Sequence, residues 1–389
     1  MSSDKKIIYV DNNATTAVDP QVFEVMKPFL TEMYANPSSI HTFGGQVGKY
    51  IDSARASVAG LIGADPKEII FTSCGTESDS SAIYSALHLC PKKKKIVVSK
   101  VEHPAILTLG QELVRRGYRV EEAPVDAHGR IDMERLEELI DDDTAIVSIM
   151  WANNETGNIY PVEEIAKIAK RHGALFHTDA VQAVGKIDIN LAESNIDMLS
   201  LSGHKLHAPK GVGALYVKRG VRFRPFIAGG HQERSRRAGT ENVPGIVALG
   251  KACELAAENM EYENTHVRKL RDKLEKHLLA NIKSTKLNGD VDNRLPNTSN
   301  ISFEFIEGES ILLLVDRLGI CASSGSACTT GSLEPSHVLR AMGVPYTAAH
   351  GAIRFSFSRY NTEEEVDFIL ESIPPIIERL RAISPFWDS

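Results

Sequence analysis

The sequence contains no long apolar run and no excess of positive charge. Its longest apolar runs, such as Ile311 to Val315, are far shorter than the roughly 20 residues that cross a bilayer. The N-terminus has neither the apolar core nor the cleavage site of a secretory signal. The formal net charge is −7, whereas nucleic-acid phosphates require a concentrated basic surface. We therefore expect a cytoplasmic protein that binds neither a membrane nor nucleic acid.

Cysteine is scarce, and its spacing excludes two common roles. The sequence has 5 cysteines, at positions 74, 90, 253, 321 and 328, and no C-x-x-C pair. An odd number at irregular spacing favours free thiols in a reducing compartment over a disulfide framework or a structural zinc site. This pattern leaves room for a chemically active thiol.

Short apolar strands alternate with helical patterns between Glu68 and Val217. This alternation is typical of an α/β fold with a mostly parallel sheet flanked by helices on both faces. The predicted strands are 69–72, 96–99, 145–151, 174–178, 198–202 and 212–217. A clear amphipathic helix runs from Pro161 to His172 and ends before Gly173. Sites in such sheets form at the carboxyl edge, where strands end and loops open.

A chain of 389 residues is too long for one core, so we expect two domains. After Asn242 a long helical pattern runs through Leu249 and Leu274. Strands near 298–305 and 353–358 and helices near 309–318 and 363–383 then predict a smaller α+β domain. We assign residues 15–255 to the large domain. The small domain comprises residues 1–14 and 256–389.

Three polar positions at predicted strand ends carry the candidate chemistry. The strand 69–72 leads through Gly75 and Thr76 into a helix, whose N-terminus suits a phosphate; helix capping by Thr76 or Ser78 explains the same residues. Asp179 either caps the next helix or holds a proton on a heteroaromatic nitrogen.

Lys205 follows apolar sequence and precedes a Pro/Gly-rich turn. Desolvation there would lower its pKa and make it an amine nucleophile, although lysines at strand ends usually lie at the surface.

Together these positions form a more specific pattern than any one of them. Pyridoxal 5'-phosphate requires an amine for a Schiff base, an acid for its ring nitrogen and donors for its phosphate. A phosphate-binding helix start, the carboxylate of Asp179 and the amine of Lys205 supply that set. The sequence therefore predicts a pyridoxal-phosphate enzyme.

The chain also resembles the cysteine desulfurases of the class V aminotransferase group, which are fold-type I pyridoxal-phosphate transferases. Within them it is most similar to the nitrogen-fixation (NifS) type. The motifs that carry the resemblance span nearly the whole chain: YVDNNATT, NPSSIH, TSCGTESDS, EHPA, MWANNETG, FHTDAVQAVGK, SGHKLHAPKGVGALY, GGHQERSRRAGTEN, SSGSACTTGSLEPSHVLRAMG and HGAIRFSFSRYNTEEE.

This resemblance implies a role for individual residues. Lys205 would form the Schiff base and move protons, and His103 would stack on the ring. Arg354 would hold the α-carboxylate of the substrate, a role for which Arg359 is a competitor. The implied cofactor-binding residues are Gly75, Thr76, Asn154, Asp179, Gln182, Ser202, His204, Lys205 and Thr240, and Asn154 would also contact the substrate. Thr240 would reach the phosphate of the partner subunit, so a homodimer is implied.

Cys328 is the predicted sulfur acceptor. It lies in a Gly/Ser-rich run, Ala322 to Ser332, whose composition favours a mobile, exposed thiol over a packed one. The resemblance implies that L-cysteine is converted to L-alanine while its sulfur passes to Cys328 as a persulfide. An iron–sulfur scaffold protein would then receive the sulfur, and Cys328 would transiently share a [2Fe-2S] cluster with it.

Four alternatives remain open from sequence. A housekeeping desulfurase of the IscS type shares most motifs, and a selenocysteine lyase has almost the same chemistry. Another class V aminotransferase would have no use for the thiol of Cys328. A non-catalytic scaffold that kept the fold would be expected to lose Lys205 or Asp179, and both are present.

Overall fold

The computed structural model describes residues 6–324 and 334–387. Within them the strands are β1 (Ile8–Tyr9), β2 (Ile69–Thr72), β3 (Lys95–Ser99), β4 (Arg119–Ala123), β5 (Thr144–Ser148), β6 (Leu175–Asp179), β7 (Met198–Ser202), β8 (Gly213–Val217), β9 (Thr285–Leu287), β10 (Thr298–Phe303), β11 (Ile320–Cys321) and β12 (Ala352–Ser356).

The helices connect and cover these strands. They are α1 (Pro20–Met26), α2 (Pro28–Thr31), α3 (Thr42–Leu61), α4 (Gly75–Leu89), α5 (Pro104–Arg115), α6 (Met133–Leu139), α7 (Val162–Arg171), α8 (Gln232–Ser235), α9 (Val243–Glu258), α10 (Met260–Tyr262), α11 (Arg268–Asn281), α12 (Gly308–Asp316), α13 (His337–Ala341), α14 (Tyr346–His350) and α15 (Glu363–Ala382). Single 3₁₀ turns occupy Pro66–Glu68 and Gly203–Lys205, and a π-helical turn occupies Glu263–Val267.

The main sheet has seven strands in the order β2-β8-β7-β6-β5-β3-β4. Strand β8 runs antiparallel to both of its neighbours, and the other pairs are parallel. The carboxyl ends of β2, β3, β5, β6 and β7 therefore meet at one edge. This arrangement confirms the predicted α/β fold with a mostly parallel sheet flanked by helices.

Alternate residues of these strands pack into two separate apolar clusters, one on each face of the sheet. Phe71 and Val97 face the cluster that includes α3, α7 and α9. Ile70 and Ile96 face the cluster that includes α4 and α5. Because helices cover both faces of the sheet, every residue of β2, β3, β5, β7 and β8 is buried.

A third apolar cluster lies around a smaller antiparallel sheet, β12-β10-β9. Helices α11 and α15 pack together there. Strand β1 pairs with β11, and Ile8 and Val10 belong to the same cluster. The N-terminal segment therefore packs with the C-terminal part of the chain; the domain boundary near residue 255 stays a prediction.

Two features of the fold differ from the expectation. Strand β4 was missed because its sequence, RVEEA, is mostly polar and lies at the sheet edge. The helical pattern beyond Asn242 forms α9, α10 and α11 with a π-helical turn between them, not one uniform helix. Asn259 separates α9 from α10 with φ −100° and ψ 7°. No helix in the described ranges is long and apolar enough to cross a membrane.

The contact between α3 and α9 depends on the lack of a side chain at Gly250. A Cβ atom at this position would lie 2.6 Å from Ala54 Cα and 2.7 Å from Ala54 Cβ. Such distances cannot be accommodated without moving one helix. By contrast, a Cβ at Gly48 on α3 would have no neighbour within 4 Å.

We expect Gly250→Ala to lower the free energy of unfolding by about 1–3 kcal/mol, because it overpacks this contact. Gly48→Ala is the matched control, and it should be neutral or stabilising by up to about 1 kcal/mol. Urea denaturation followed by circular dichroism measures both changes. Equal effects of the two substitutions would contradict the close α3–α9 packing.

Candidate active site

The carboxyl edge of the main sheet holds a cavity of about 280 Å³. Its walls come from loops that follow β2, β3, β5, β6 and β7 and from the N-terminal segment. The structure brings these sequence-predicted residues together there: Gly75, Thr76, His103, Asn154, Asp179, Gln182, Ser202, His204, Lys205 and Arg354.

Two predicted residues are not part of this cavity. Thr240 is exposed and does not line it. Cys328 lies outside the described residues, so its predicted role as sulfur acceptor is carried by the sequence alone.

Lys205 ends the 3₁₀ turn that follows β7, with its amine inside the cavity. Its Nζ donates hydrogen bonds to the backbone carbonyl oxygens of Asn13 and, at 2.8 Å, Ala14. Burial, together with the positive charges of Arg354 and Lys186, lowers the pKa of Lys205 from 10.5 to about 7. At neutral pH a large fraction of this amine is therefore uncharged and nucleophilic.

Asp179 is the last residue of β6 and lies in the same cavity. Its Oδ1 accepts a hydrogen bond of 2.9 Å from the backbone N–H of Val181, so it does cap the following turn. Burial raises its pKa, while the hydrogen bond from Val181 and the charged form of Lys205 oppose the rise. A buried carboxylate with one oxygen engaged in this way is suited to pair with a cation.

A second carboxyl group, Asp79 on α4, lines the cavity and was not predicted. It is 1% exposed, and its Oδ1 has no hydrogen-bond partner. Burial and the proximity of Asp179 hold its pKa well above the ordinary value. Two buried carboxyl groups with raised pKa values therefore lie side by side in the cavity.

His103 is the N-cap of α5, where Pro104 takes the first helical position. Its Nδ1 accepts a hydrogen bond of 3.1 Å from the backbone N–H of Ala105. Burial lowers the pKa of His103, so the ring is neutral near pH 7. Because Nδ1 is the acceptor, Nε2 carries the proton.

The N-terminus of α4 is open toward the cavity. Its N-cap is Cys74, which makes no side-chain capping hydrogen bond, so neither Thr76 nor Ser78 serves as the cap. The Oγ of Ser202 is buried without a partner. A Cβ on Gly75 would lie 2.8 Å from Val181 Cγ2, so any other residue here would require the Val181 side chain to shift. Free N–H groups, a positive helix dipole and an unpaired hydroxyl form a suitable anion site.

Arg354 on β12 reaches the opposite side of the cavity and is 2% exposed. Its guanidinium donates to Asp11 at 2.5 Å and to the backbone oxygen of Asn154 at 3.0 Å. Its Nε has no hydrogen-bond partner, which leaves a donor for an anionic ligand. Arg359, the competitor for this role, instead pairs with Asp19 at 2.8 Å and does not line this cavity.

The segment around Asn13 contributes more to the site than the sequence indicated. The backbone oxygen of Asn13 accepts hydrogen bonds from Lys205 and, at 2.9 Å, from Gln182 Nε2. The Asn13 side chain donates to Asn154 O and Thr298 Oγ1. The run Asp11-Asn12-Asn13 directly after a short strand was the only local signal for this role. Its backbone contacts with Lys205, 192 residues away, could not be read from it.

Comparison with known protein families identifies the fold family. Residues 8–369 match the model for aminotransferase class-V. The cysteine desulfurase NifS of Azotobacter vinelandii is 60% identical over 382 residues, which cover 98% of this chain and 95% of that protein. A cysteine desulfurase of Gluconacetobacter diazotrophicus is 62% identical over 383 residues, covering 98% and 96% of the two chains.

Solved structures agree with this assignment. A structure described as a NifS-like protein has a TM-score of 0.90 and 42% identity, covering 97% of this chain and all of that one. A structure of SspA in complex with cysteine has a TM-score of 0.81 and 35% identity, covering 91% of this chain and all of that one. The chain therefore belongs to the class-V aminotransferase family and, within it, to the cysteine desulfurases of the NifS type.

Proposed function

We propose that this chain is a pyridoxal-phosphate-dependent enzyme that converts L-cysteine to L-alanine and transfers the sulfur to Cys328 as a persulfide. The observation that carries the proposal is the meeting of Lys205, Asp179 and the open N-terminus of α4 in one cavity. The NifS relative and the SspA complex with cysteine support the choice of substrate.

The residues present fit pyridoxal 5'-phosphate. The unpaired hydroxyl of Ser202, the close approach at Gly75 and the uncapped α4 N-terminus would hold the phosphate, with Thr76 and His204 beside them. Asp179 would face the ring nitrogen, His103 the ring, and Gln182 and Asn154 its oxygen. When bound, the cofactor supplies an aldehyde for amines and a ring that accepts electrons.

The ionisation of the chain's own groups matches these tasks. The uncharged fraction of Lys205 provides the amine and, once displaced by substrate, a base for the proton on the substrate Cα. A cationic ring nitrogen beside Asp179 would favour the ionised form of this carboxyl group and so oppose the effect of its burial. Neutral His103 lines the cavity and carries a proton on Nε2 that it could donate.

Arg354 would bind the α-carboxylate of L-cysteine. Its buried guanidinium already holds Asp11 and still has Nε free. A planar guanidinium gives paired donors of fixed direction, so this contact would orient the substrate and set its Cα toward Lys205.

The sulfur transfer balances without a further reagent. The Cβ–S bond of cysteine breaks, and the carbon is reduced to the methyl group of alanine. The new S–S bond at Cys328 contains two sulfur atoms that together lose the two electrons gained by carbon. The proton of the Cys328 thiol is taken up in forming alanine. An iron–sulfur scaffold protein would then receive the terminal sulfur, with Cys328 transiently sharing a [2Fe-2S] cluster.

A cytoplasmic homodimer completes the proposal. Thr240 is exposed and outside its own cavity, so it is available to a second subunit, where it would contact the phosphate. The 60% identity to NifS favours a scaffold partner of the nitrogen-fixation type over the housekeeping one.

Replacement of Lys205 by alanine should abolish covalent capture of the cofactor and alanine formation. We expect the visible absorbance band of the reconstituted protein, bleached by borohydride in the wild type, to be missing in Lys205→Ala. Lys210→Ala, an exposed lysine five residues on, is the matched control and should keep the band. A borohydride-sensitive band in Lys205→Ala would contradict the proposal.

Replacement of Cys328 by alanine should leave cofactor capture unchanged and lower sulfide release from L-cysteine by at least about a hundredfold, because the acceptor thiol is lost. Sulfide release in the presence of a reductant is the measurement. Cys90→Ala, at a half-buried cysteine outside the cavity, should behave like the wild type. Normal sulfide release by Cys328→Ala would exclude the acceptor role.

The lowered pKa of Lys205 predicts a distinctive pH dependence for cofactor capture. In cofactor-free protein the reactive species is the uncharged amine, so the capture rate should rise with pH and level off above about pH 7–8, where Lys205 is deprotonated. Stopped-flow absorbance measures this rate, with a small alkylamine as control for the ionisation of pyridoxal phosphate itself. A rate that continues to rise through pH 9, as for an ordinary lysine, would show that Lys205 is not desolvated.

A further inference from the structure

Another lysine, Lys186, is buried and lines a small cavity together with Lys205, and it has no part in the function proposed above. It follows Gly185 in the turn after β6 and is only 8% exposed. Lysines are almost never buried to this degree unless they have partners. Its Nζ donates hydrogen bonds to the backbone oxygen of Gln182 at 3.1 Å and to Gln182 Oε1 at 3.4 Å.

The contact with Lys186 determines which end of the Gln182 amide faces the cavity. A lysine ammonium has only donors, so it selects the amide oxygen. The NH₂ group of Gln182 then points the other way and donates to Asn13 O at 2.9 Å, the same oxygen that accepts from Lys205. The donor end of Gln182 is therefore presented beside the reactive amine.

The π turn Glu263–Val267 packs next to Lys186. Asn264 Nδ2 donates to the backbone oxygen of Lys186 at 2.9 Å. Glu263 is 7% exposed, and its Oε2 has no hydrogen-bond partner. A cavity of about 20 Å³ is bounded by Lys186, Lys205 and Glu263. Single π turns inside helices are frequent at functional sites.

Neighbouring charges shift the pKa values of both Lys186 and Lys205. Burial lowers the pKa of Lys186 to about 8, and Glu263 opposes this shift, so Lys186 is mostly charged at neutral pH. The other titratable groups facing its small cavity are His207, neutral because burial lowers its pKa to about 4, and Arg359, paired with Asp19.

Charged groups on several elements of the fold shift the pKa of Lys205. Arg354 on β12 and Lys186 disfavour its charged form, whereas Asp11 and Asp179 favour it. His103 and His204, whose pKa values are lowered by burial, are neutral and contribute no full charge at pH 7.

We propose that Lys186 is a positioning residue, which fixes the orientation of the Gln182 amide and places a positive charge at the small cavity that it shares with Lys205. The inference rests on the proposed function, since it assigns the Gln182 NH₂ group to the phenolic oxygen of bound pyridoxal phosphate. Asn264 holds the backbone of Lys186 by a hydrogen bond, and the Glu263 carboxyl group favours the charged form of its amine. A purely structural lysine would stabilise the fold and leave the titration of Lys205 unchanged.

The test compares Lys186→Met, which loses charge and donor, with Lys186→Gln, which loses the charge and keeps an N–H donor for Gln182 Oε1. Cofactor-free proteins are mixed with pyridoxal phosphate across pH, and the midpoint of the capture rate and the dissociation constant of the cofactor are measured. Lys167→Met, at an exposed lysine on α7, is the control. Thermal unfolding of each variant is measured in parallel to show whether it is folded.

We expect both Lys186 variants to raise the midpoint of the capture rate by about one pH unit, because a like charge is removed from Lys205. Lys186→Met should also weaken cofactor binding about three- to tenfold, whereas Lys186→Gln should stay within about twofold of the wild type. Lys167→Met should change neither value. If Lys186→Met does not fold, the midpoint of Lys186→Gln decides the question.

A wild-type midpoint in the folded Lys186 variants would overturn the inference. Failure of the wild-type protein itself to capture pyridoxal phosphate would instead contradict the proposed function, so the two failures are distinguishable.

Discussion

The site depends on removing a lysine amine and a carboxylate from water at the same edge of one sheet. Asp179 ends β6 and Lys205 follows the neighbouring strand β7, and both are enclosed by loops that pack over the carboxyl ends. Burial disfavours the charged form of each group. The amine is consequently reactive at neutral pH. A nearby cation, such as a protonated ring nitrogen, would stabilise the ionised carboxylate.

The enclosure is built by parts of the chain that are far apart in sequence. The carbonyl oxygens of Asn13 and Ala14 receive the Lys205 amine, and the Asn13 side chain is tied to Thr298 on β10. Arg354 arrives from β12 and bridges Asp11 and Asn154. The N-terminal segment therefore connects the main sheet to the smaller one across the cavity, so that the lysine pocket and the arginine anchor are held in one arrangement.

Much of this site could be predicted because strand-end residues of a parallel sheet converge whatever their separation in sequence. Lys205, Asp179 and Gly75 all follow apolar runs that predict strands, whereas His103 was assigned only through the family resemblance. The contribution of Asn13 could not be predicted, since it acts through a backbone carbonyl and any residue type has one. Asp79 and Lys186 were missed for another reason: they lie within regular or short connecting segments, where a charged residue ordinarily indicates a solvent-facing position. Only the packing shows that both are buried.

The most direct test of the account follows the sulfur atom itself. Reconstituted protein is mixed with an equimolar amount of L-cysteine labelled with radioactive sulfur, and alanine and protein-bound label are measured together. The account predicts one alanine formed for each labelled sulfur, with the label on the peptide that contains Cys328 and removed by a thiol reductant. Alanine formed without label on that peptide, or label on another cysteine, would contradict it.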